Sequence, residues 1–117
     1  MVEQAGFDVV WASGLEISAS LGVPDANILS MNECLAVARE MVEKVSVPVL
    51  ADCDSGFGGI GNVVHTVRSY EAAGVQGVCI EDKTFPRLNS FVVGNKALVP
   101  IEDFAGRIVA TVATRVT

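Results

Sequence analysis

Two short apolar runs, Val47-Pro48-Val49-Leu50-Ala51 and Val75-Gln76-Gly77-Val78-Cys79-Ile80, each lead into acidic residues. Their length and β-branched content predict strands. Between them Val63, Val67, Tyr70 and Ala73 or Gly74 recur at helical spacing, with Asn62 as a cap after Gly61 and Gly74 as a left-handed stop. From Val47 to Val75 is 28 residues, the size of one β-α-β unit, so the two strands are expected to be parallel neighbours. Upstream, Ser30 and Glu33 have the spacing of a capping box. Leu35, Ala38, Met41, Val42 and Val45 then mark the buried stripe of a helix feeding the strand at Val47. Ala5 to Trp11 predicts a further short strand. Residues 12 to 29, rich in small side chains and broken by Gly14, Gly22 and Pro24, predict a long connection of the kind that lines a site. Residues 84 to 99 are loop-like, with Phe85-Pro86-Arg87-Leu88-Asn89-Ser90 at the core and Gly94-Asn95 later. Pro100 suits the first turn of a last helix, because its missing N–H has no partner to lose there. Glu102 and Asp103 fit the positive end of that helix, and Ile101, Phe104, Ile108 and Val112 stripe one side.

A weak internal echo joins the two halves: Ala5-Gly6-Phe7-Asp8-Val9-Val10 and Ala73-Gly74-Val75-Gln76-Gly77-Val78 share Ala-Gly followed by Val three residues after the glycine. Both read as a helix end feeding a strand. The fold class is therefore α/β, with about three parallel strands and flanking helices. Three such strands leave both sheet edges open and their apolar flanks in need of neighbours. A section of a (β/α)8 TIM barrel is favoured over a small open domain. A whole barrel takes about 250 residues, so 117 residues supply less than half.

Half of the residues are apolar, ample for a core and against intrinsic disorder. A formal net charge of -6, with no consecutive basic residues, argues against a nucleic-acid partner. No apolar run approaches the 18 or so residues of a membrane span, and Glu3 and Gln4 beside Met1 do not make a leader. A cytoplasmic protein without membrane association is expected. The cysteines Cys34, Cys53 and Cys79 are odd in number and set in apolar or strand-like surroundings, so they are expected to be reduced thiols.

The chemistry concentrates at strand ends, the side of a parallel α/β fold where ligands bind. Asp52 and Asp54 stand two apart and share a side if the strand period persists. With Glu81 from the adjacent strand end they form an oxygen-donor set suited to Mg2+; the competing reading is a solvated acidic loop. Ser55-Gly56-Phe57-Gly58-Gly59-Ile60-Gly61 matches neither a P-loop nor a dinucleotide fingerprint. His65, the single histidine, lies inside a helix with no serine and acid placed to form a triad. Trp11 is either core filler or a pocket wall, and the N–H groups after it, in Ala12-Ser13-Gly14-Leu15, can cradle an anion. Asp25 is either a surface acid or a reaching catalytic group. Lys83 and Arg87 are the basic residues near the acidic ends, where an anionic substrate needs counter-charge.

Taken together, Trp11-Ala12-Ser13-Gly14-Leu15, Gly22-Val23-Pro24-Asp25-Ala26-Asn27, Asp52-Cys53-Asp54-Ser55-Gly56-Phe57-Gly58 and Glu81-Asp82-Lys83-Thr84-Phe85-Pro86-Arg87-Leu88-Asn89-Ser90 resemble the phosphoenolpyruvate mutase and phosphonopyruvate hydrolase branch of the isocitrate lyase superfamily. The motifs stand in the family's order and cover nearly the whole chain.

The resemblance implies a (β/α)8 barrel that binds Mg2+ and a small anionic keto acid or enol phosphate, interconverting phosphoenolpyruvate and phosphonopyruvate. It implies that Asp54 holds Mg2+ most directly, with Asp52 and Glu81 supporting it through water. Ser13, Gly14 and Leu15 are implied to hold the substrate carboxylate and enolate oxygens, with Trp11 walling the pocket. Asp25 is implied at the reacting centre, and Asn89 as a gating-loop amide that steadies the phosphoryl group. The lyases of the superfamily carry a cysteine motif in the gating segment, absent here, so lyase activity is disfavoured. The hydrolase typically has Thr at the position of Asn89, so mutase is favoured over hydrolase. Arg87 stands where the mutase pattern usually has Lys; it keeps the charge and changes the geometry, and it is grouped with Asp25 and Asn89 as catalytic. The family also draws an arginine and a histidine from later strands. These 117 residues alone are therefore expected to be an inactive part of one barrel domain, and the full-length protein a homo-oligomer. A noncatalytic α/β interaction module is the remaining alternative.

Overall fold

The computed structural model describes residues 1–94 and 97–116; Asn95 of the predicted late loop lies outside them. Three parallel strands form one sheet in the order β1-β2-β3: β1 (Val10–Ala12), β2 (Val49–Asp52) and β3 (Gly77–Cys79). Four α-helices flank it, α1 (Gly14–Ser20), α2 (Met31–Lys44), α3 (Ile60–Ala72) and α4 (Ile101–Thr114). This is the partial (β/α) barrel that the sequence predicts. Val10 pairs with Val49 and Ala12 with Ala51, and on the other side Leu50 pairs with Gly77 and Asp52 with Cys79.

Strand residues alternate between two faces. Val49 and Ala51 are buried in a core with Ala12, Ile17, Leu35, Ala38, Tyr70 and Val75, which seats α2 and the sheet on each other. Both Gly6 and Gly74 adopt left-handed backbone, at φ 88° and 87°, so the Ala-Gly echo marks two equivalent turns ahead of strands. Gly74 ends α3 as expected.

Five expectations need correction. The first strand is confined to Val10–Ala12, because only those residues reach β2; Glu3–Ala5 form a 3-10 turn instead. Within the predicted connection 12–29, α1 forms, capped by Ser13, whose Oγ accepts from the Glu16 N–H at 3.4 Å. Its serines and glycine have poor helix propensity, and burial of Ile17 and Ser18 overrides that. Asn62 sits inside α3 rather than at its cap: its Oδ1 reaches back to accept from the Gly59 N–H at 3.1 Å. Pro100 is the N-cap of α4, one residue ahead of the helix. The stripe of α4 is also less covered than its pattern suggests. Ile101, Ile108 and Val112 are exposed, and the last two line a groove of about 600 Å3 shared with Val75, Val78 and Ile80 of the open β3 side.

The capping box of α2 forms as predicted. Ser30 Oγ accepts from the Glu33 N–H at 3.3 Å, and the Glu33 carboxylate accepts from the Ser30 N–H at 2.7 Å. Both residues are exposed, so the cap is separable from packing. Ser30→Ala in the full-length protein is expected to cost about 1 kcal/mol, read as a lower Tm in a thermal melt.

Candidate functional site

Sheet pairing does not stop where the strands end. The Cys53 N–H donates to the Cys79 carbonyl at 2.9 Å and the Glu81 N–H to the Asp54 carbonyl at 2.7 Å. These bonds carry the chain after β2 and the chain after β3 side by side into the site. Asp54 turns there in left-handed backbone, φ 49°, a conformation costly for a residue with a Cβ and held only when its surroundings impose it. Its N–H donates to Asp52 Oδ1 at 3.0 Å, so the two carboxylates are tied together locally. Gly14, the first residue of α1, donates its N–H to Asp52 Oδ2 at 3.2 Å. A Cβ on Gly14 would lie 3.2 Å from both Asp52 Oδ2 and Asp54 Oδ1 and 3.5 Å from Arg87 Nη2. The missing side chain is what lets α1 approach the acids.

Two further segments meet at Asp54. Arg87, only 5% exposed, donates from Nε to Asp54 Oδ1 at 2.7 Å, and its Nη2 donates to the same oxygen. Its guanidinium also reaches Asp25, with Nη2 at 3.0 Å from Oδ1 and Nη1 at 3.4 Å from Oδ2. Asn89 joins Asp25 twice, by Nδ2 to Oδ2 at 3.0 Å and by its N–H to the Asp25 carbonyl at 3.1 Å. Asn27 donates from Nδ2 to Asp54 Oδ2 at 2.9 Å and accepts the Arg87 N–H at 2.6 Å. The stretch read from sequence as loop, 84 to 99, has at its stem an antiparallel bridge between Lys83 and Leu98 and the Val99 N–H on the Asp82 carbonyl at 2.8 Å.

The electrostatics of the cluster are those of crowded, buried acids. Burial pushes the Asp54 carboxyl up to about 6, against the lowering by Arg87, and the Asp52 and Asp25 charges add to the rise. Glu81 Oε2 is ion-paired with Lys83 at 3.2 Å and lies 3.8 Å from Arg87 Nε, buried and outside hydrogen-bond geometry with either. The three thiols are free, as expected. Burial raises Cys34 to about 11 and Cys53 further, so neither is a nucleophile near neutral pH.

The structure thus gathers Gly14, Asp25, Asp52, Asp54, Arg87 and Asn89 around one point, with Glu81 at its margin. Among the described residues no three acidic, histidine or cysteine groups are spaced to hold a metal ion together. The three acids are not preassembled as a metal cage, because the Arg87 guanidinium stands between Asp54 and Glu81. Their chemistry still fits a hard cation: Asp54 is a buried carboxylate, Glu81 Oε2 is buried and held by charge rather than by a hydrogen bond, and Gly14 leaves room beside Asp52. Trp11 and Leu15 are exposed, 48% and 41%, outside the hydrogen-bonded cluster. Trp11 lines a separate groove of about 580 Å3 with Phe7 and Met41, and the Ser13 hydroxyl is spent on the cap of α1. His65 is an exposed position of α3, in keeping with a surface role. Asn27, which the sequence reading assigns no task, is the residue it missed. It stands in left-handed backbone, φ 57°, two places after Asp25, and nothing in the local sequence pattern marks it.

A family model described as phosphoenolpyruvate phosphomutase matches residues 1–117. A phosphonopyruvate hydrolase from Variovorax sp. (strain Pal2) is 50% identical over 116 residues, 98% of this chain and 40% of that protein. Among solved structures, a phosphoenolpyruvate phosphomutase from Streptomyces platensis subsp. rosaceus superposes with a TM-score of 0.95 at 55% identity, covering 98% of this chain and 40% of the other. A phosphonopyruvate hydrolase in complex with oxalate and Mg2+ superposes at 0.90 with 48% identity, covering 99% and 39%. The chain therefore spans about two fifths of the length of these relatives. Among the described residues no helix is long and apolar enough to cross a membrane.

Proposed function

The chain belongs to the phosphoenolpyruvate phosphomutase family, in the branch of the isocitrate lyase superfamily that includes phosphonopyruvate hydrolase, and on that premise we propose that its full-length protein interconverts phosphoenolpyruvate and phosphonopyruvate. The observation that carries this reading is the seating of the Asn89 amide on Asp25, 3.0 Å away, beside the Arg87 guanidinium and Asp54. A neutral amide and a fork of N–H donors are suited to an anionic phosphoryl group in transit, which needs positioning and charge balance more than acid-base chemistry.

In this reading Asp54, Asp52 and Glu81 hold Mg2+. That ion, when bound, supplies Lewis-acid stabilisation of developing enolate charge. The chain's own residues do the rest. Arg87, now paired with two carboxylates, can exchange one of them for a substrate oxygen without losing its charge partner. Asp25 and Asn89 flank the transfer path from opposite loops. The Gly14 N–H is already committed to Asp52, so it keeps that acid in place, and the Ser13 and Leu15 backbones follow at the start of α1 as anion donors. Closure of residues 84–94 over the acids excludes water, which separates transfer from hydrolysis. A cytoplasmic homo-oligomer and a single barrel domain complete the proposal.

Hydrolysis of phosphonopyruvate is the second reading, favoured by the 50% identity to the Variovorax hydrolase. Incubating the full-length protein with phosphonopyruvate and Mg2+ and following phosphorus by NMR decides between them. Phosphoenolpyruvate is the expected product; inorganic phosphate accompanied by pyruvate, with no phosphoenolpyruvate, identifies the hydrolase.

A further inference from the structure

We propose that Asn27 is a positioning residue that fastens the closed 84–94 segment to the Asp54 carboxylate, so that segment closure and cation affinity are coupled through one side-chain amide. The inference rests on the reading of Asp54 as a Mg2+ ligand. Pro24 to Asn27 form a tight turn, with the Ala26 N–H on the Pro24 carbonyl at 3.0 Å, which brings the side chains of Asp25 and Asn27 to the same cluster. Asn27 is in left-handed backbone, φ 57°, which asparagine tolerates better than most residues. Its two ends then do different work. The Nδ2 donor takes Asp54 Oδ2 at 2.9 Å, and the Oδ1 acceptor takes the Arg87 N–H at 2.6 Å.

An amide is well suited to that double duty. Aspartate at this position keeps the acceptor and loses the donor, glycine keeps the backbone and loses both, and glutamine reaches too far. Asn27 claims Asp54 Oδ2 while Arg87 claims Oδ1, so the plane of the carboxylate is pinned from both oxygens. A carboxylate offers about four lone-pair directions, and the Asn27 bond leaves a second direction on Oδ2 for a cation. If Arg87 moves to a substrate, Asn27 still holds both Asp54 and the Arg87 main chain. The segment therefore stays closed at the moment its cation changes partner.

The test uses the full-length protein. Amide hydrogen exchange is read on peptides spanning residues 84–92 in the metal-free protein, and Mg2+ binding by calorimetry. Asn27→Gly, which suits the backbone conformation, is expected to speed exchange of the segment about tenfold and weaken Mg2+ binding by roughly 10- to 100-fold, leaving exchange in β2 and α2 unchanged. Wild-type exchange and Mg2+ affinity in Asn27→Gly would show that only its backbone conformation matters and overturn the proposal. If Asn27→Gly does not fold, Asn27→Asp decides: it keeps the acceptor, so segment protection should survive, and its loss rejects the role. The exchange readout needs no turnover. A protein inactive on phosphonopyruvate whose segment still loosens in Asn27→Gly would refute the assigned reaction while retaining the clamp.

Discussion

Asp54→Ala in the full-length protein is expected to lower turnover of phosphonopyruvate by roughly a thousandfold, about 4 kcal/mol of transition-state stabilisation, and to abolish measurable Mg2+ binding. Its carboxylate takes Asn27 on one oxygen and Arg87 on the other, and its N–H is anchored on Asp52. Arg87 keeps Asp25 after the substitution, so the fold is expected to survive, and a cooperative thermal melt is the control. Retained Mg2+ affinity would move the cation site elsewhere. The pH dependence follows from burial, which pushes Asp54 up to about 6. A carboxyl raised in the folded state favours its neutral form there, so the stability this gives is present at low pH and is lost as pH climbs from about 4 through 6. A cation requires the ionised form, and the apparent Mg2+ affinity should fall about tenfold for each pH unit below that value. Calorimetric titrations between pH 5 and 8 (about the accessible range) check the slope.

The second large effect is structural. Gly56→Ala is expected to destabilise the full-length protein by roughly 2–5 kcal/mol, lowering Tm by about 5–15 °C. Gly56 has φ +90°, and a Cβ there would lie 2.4 Å from Val63 Cγ2 and 3.3 Å from Val63 Cβ. Val63 is fully buried and cannot retreat, and the neighbouring Thr66 hydroxyl already holds the Gly56 carbonyl at 3.4 Å. The cost has two parts, backbone strain and overlap, and a double-variant cycle with Val63→Ala separates them. The overlap should emerge as a favourable interaction of about 1–3 kcal/mol between the two changes. Simple additivity would mean that α3 shifts freely and that Gly56 matters for its φ alone.

Much of this architecture is legible in periodicity. The β2-α3-β3 unit follows from two apolar runs 28 residues apart, and α2 from its stripe and capping box. What periodicity misses is α1, whose Gly-Leu-Glu-Ile-Ser-Ala-Ser sequence is unremarkable as a helix until Ile17 finds the core. It also misses the true extent of β1, since Phe7 and Val9 are apolar without meeting β2. For the site, the acids at strand ends were legible because parallel strands point their C-terminal ends one way. Their grouping with Asp25, Arg87 and Asn89 was legible only through family resemblance, because loops 27 to 64 positions apart in sequence leave no local period. The intrusion of Arg87 between Asp54 and Glu81 depends on side-chain placement that no pattern encodes, as does the bivalent role of Asn27.

The backbone bonds that run past β2 and β3 have a consequence for how such proteins diversify. They fasten the acidic residues to the sheet itself, whereas Arg87 and Asn89 ride on an insert stitched to it at a narrow stem. Mutase and hydrolase can share one rigid foundation and differ in a removable cover, so selection for a new reaction need rewrite only a dozen or so positions (on the order of one long loop) without disturbing how the protein folds.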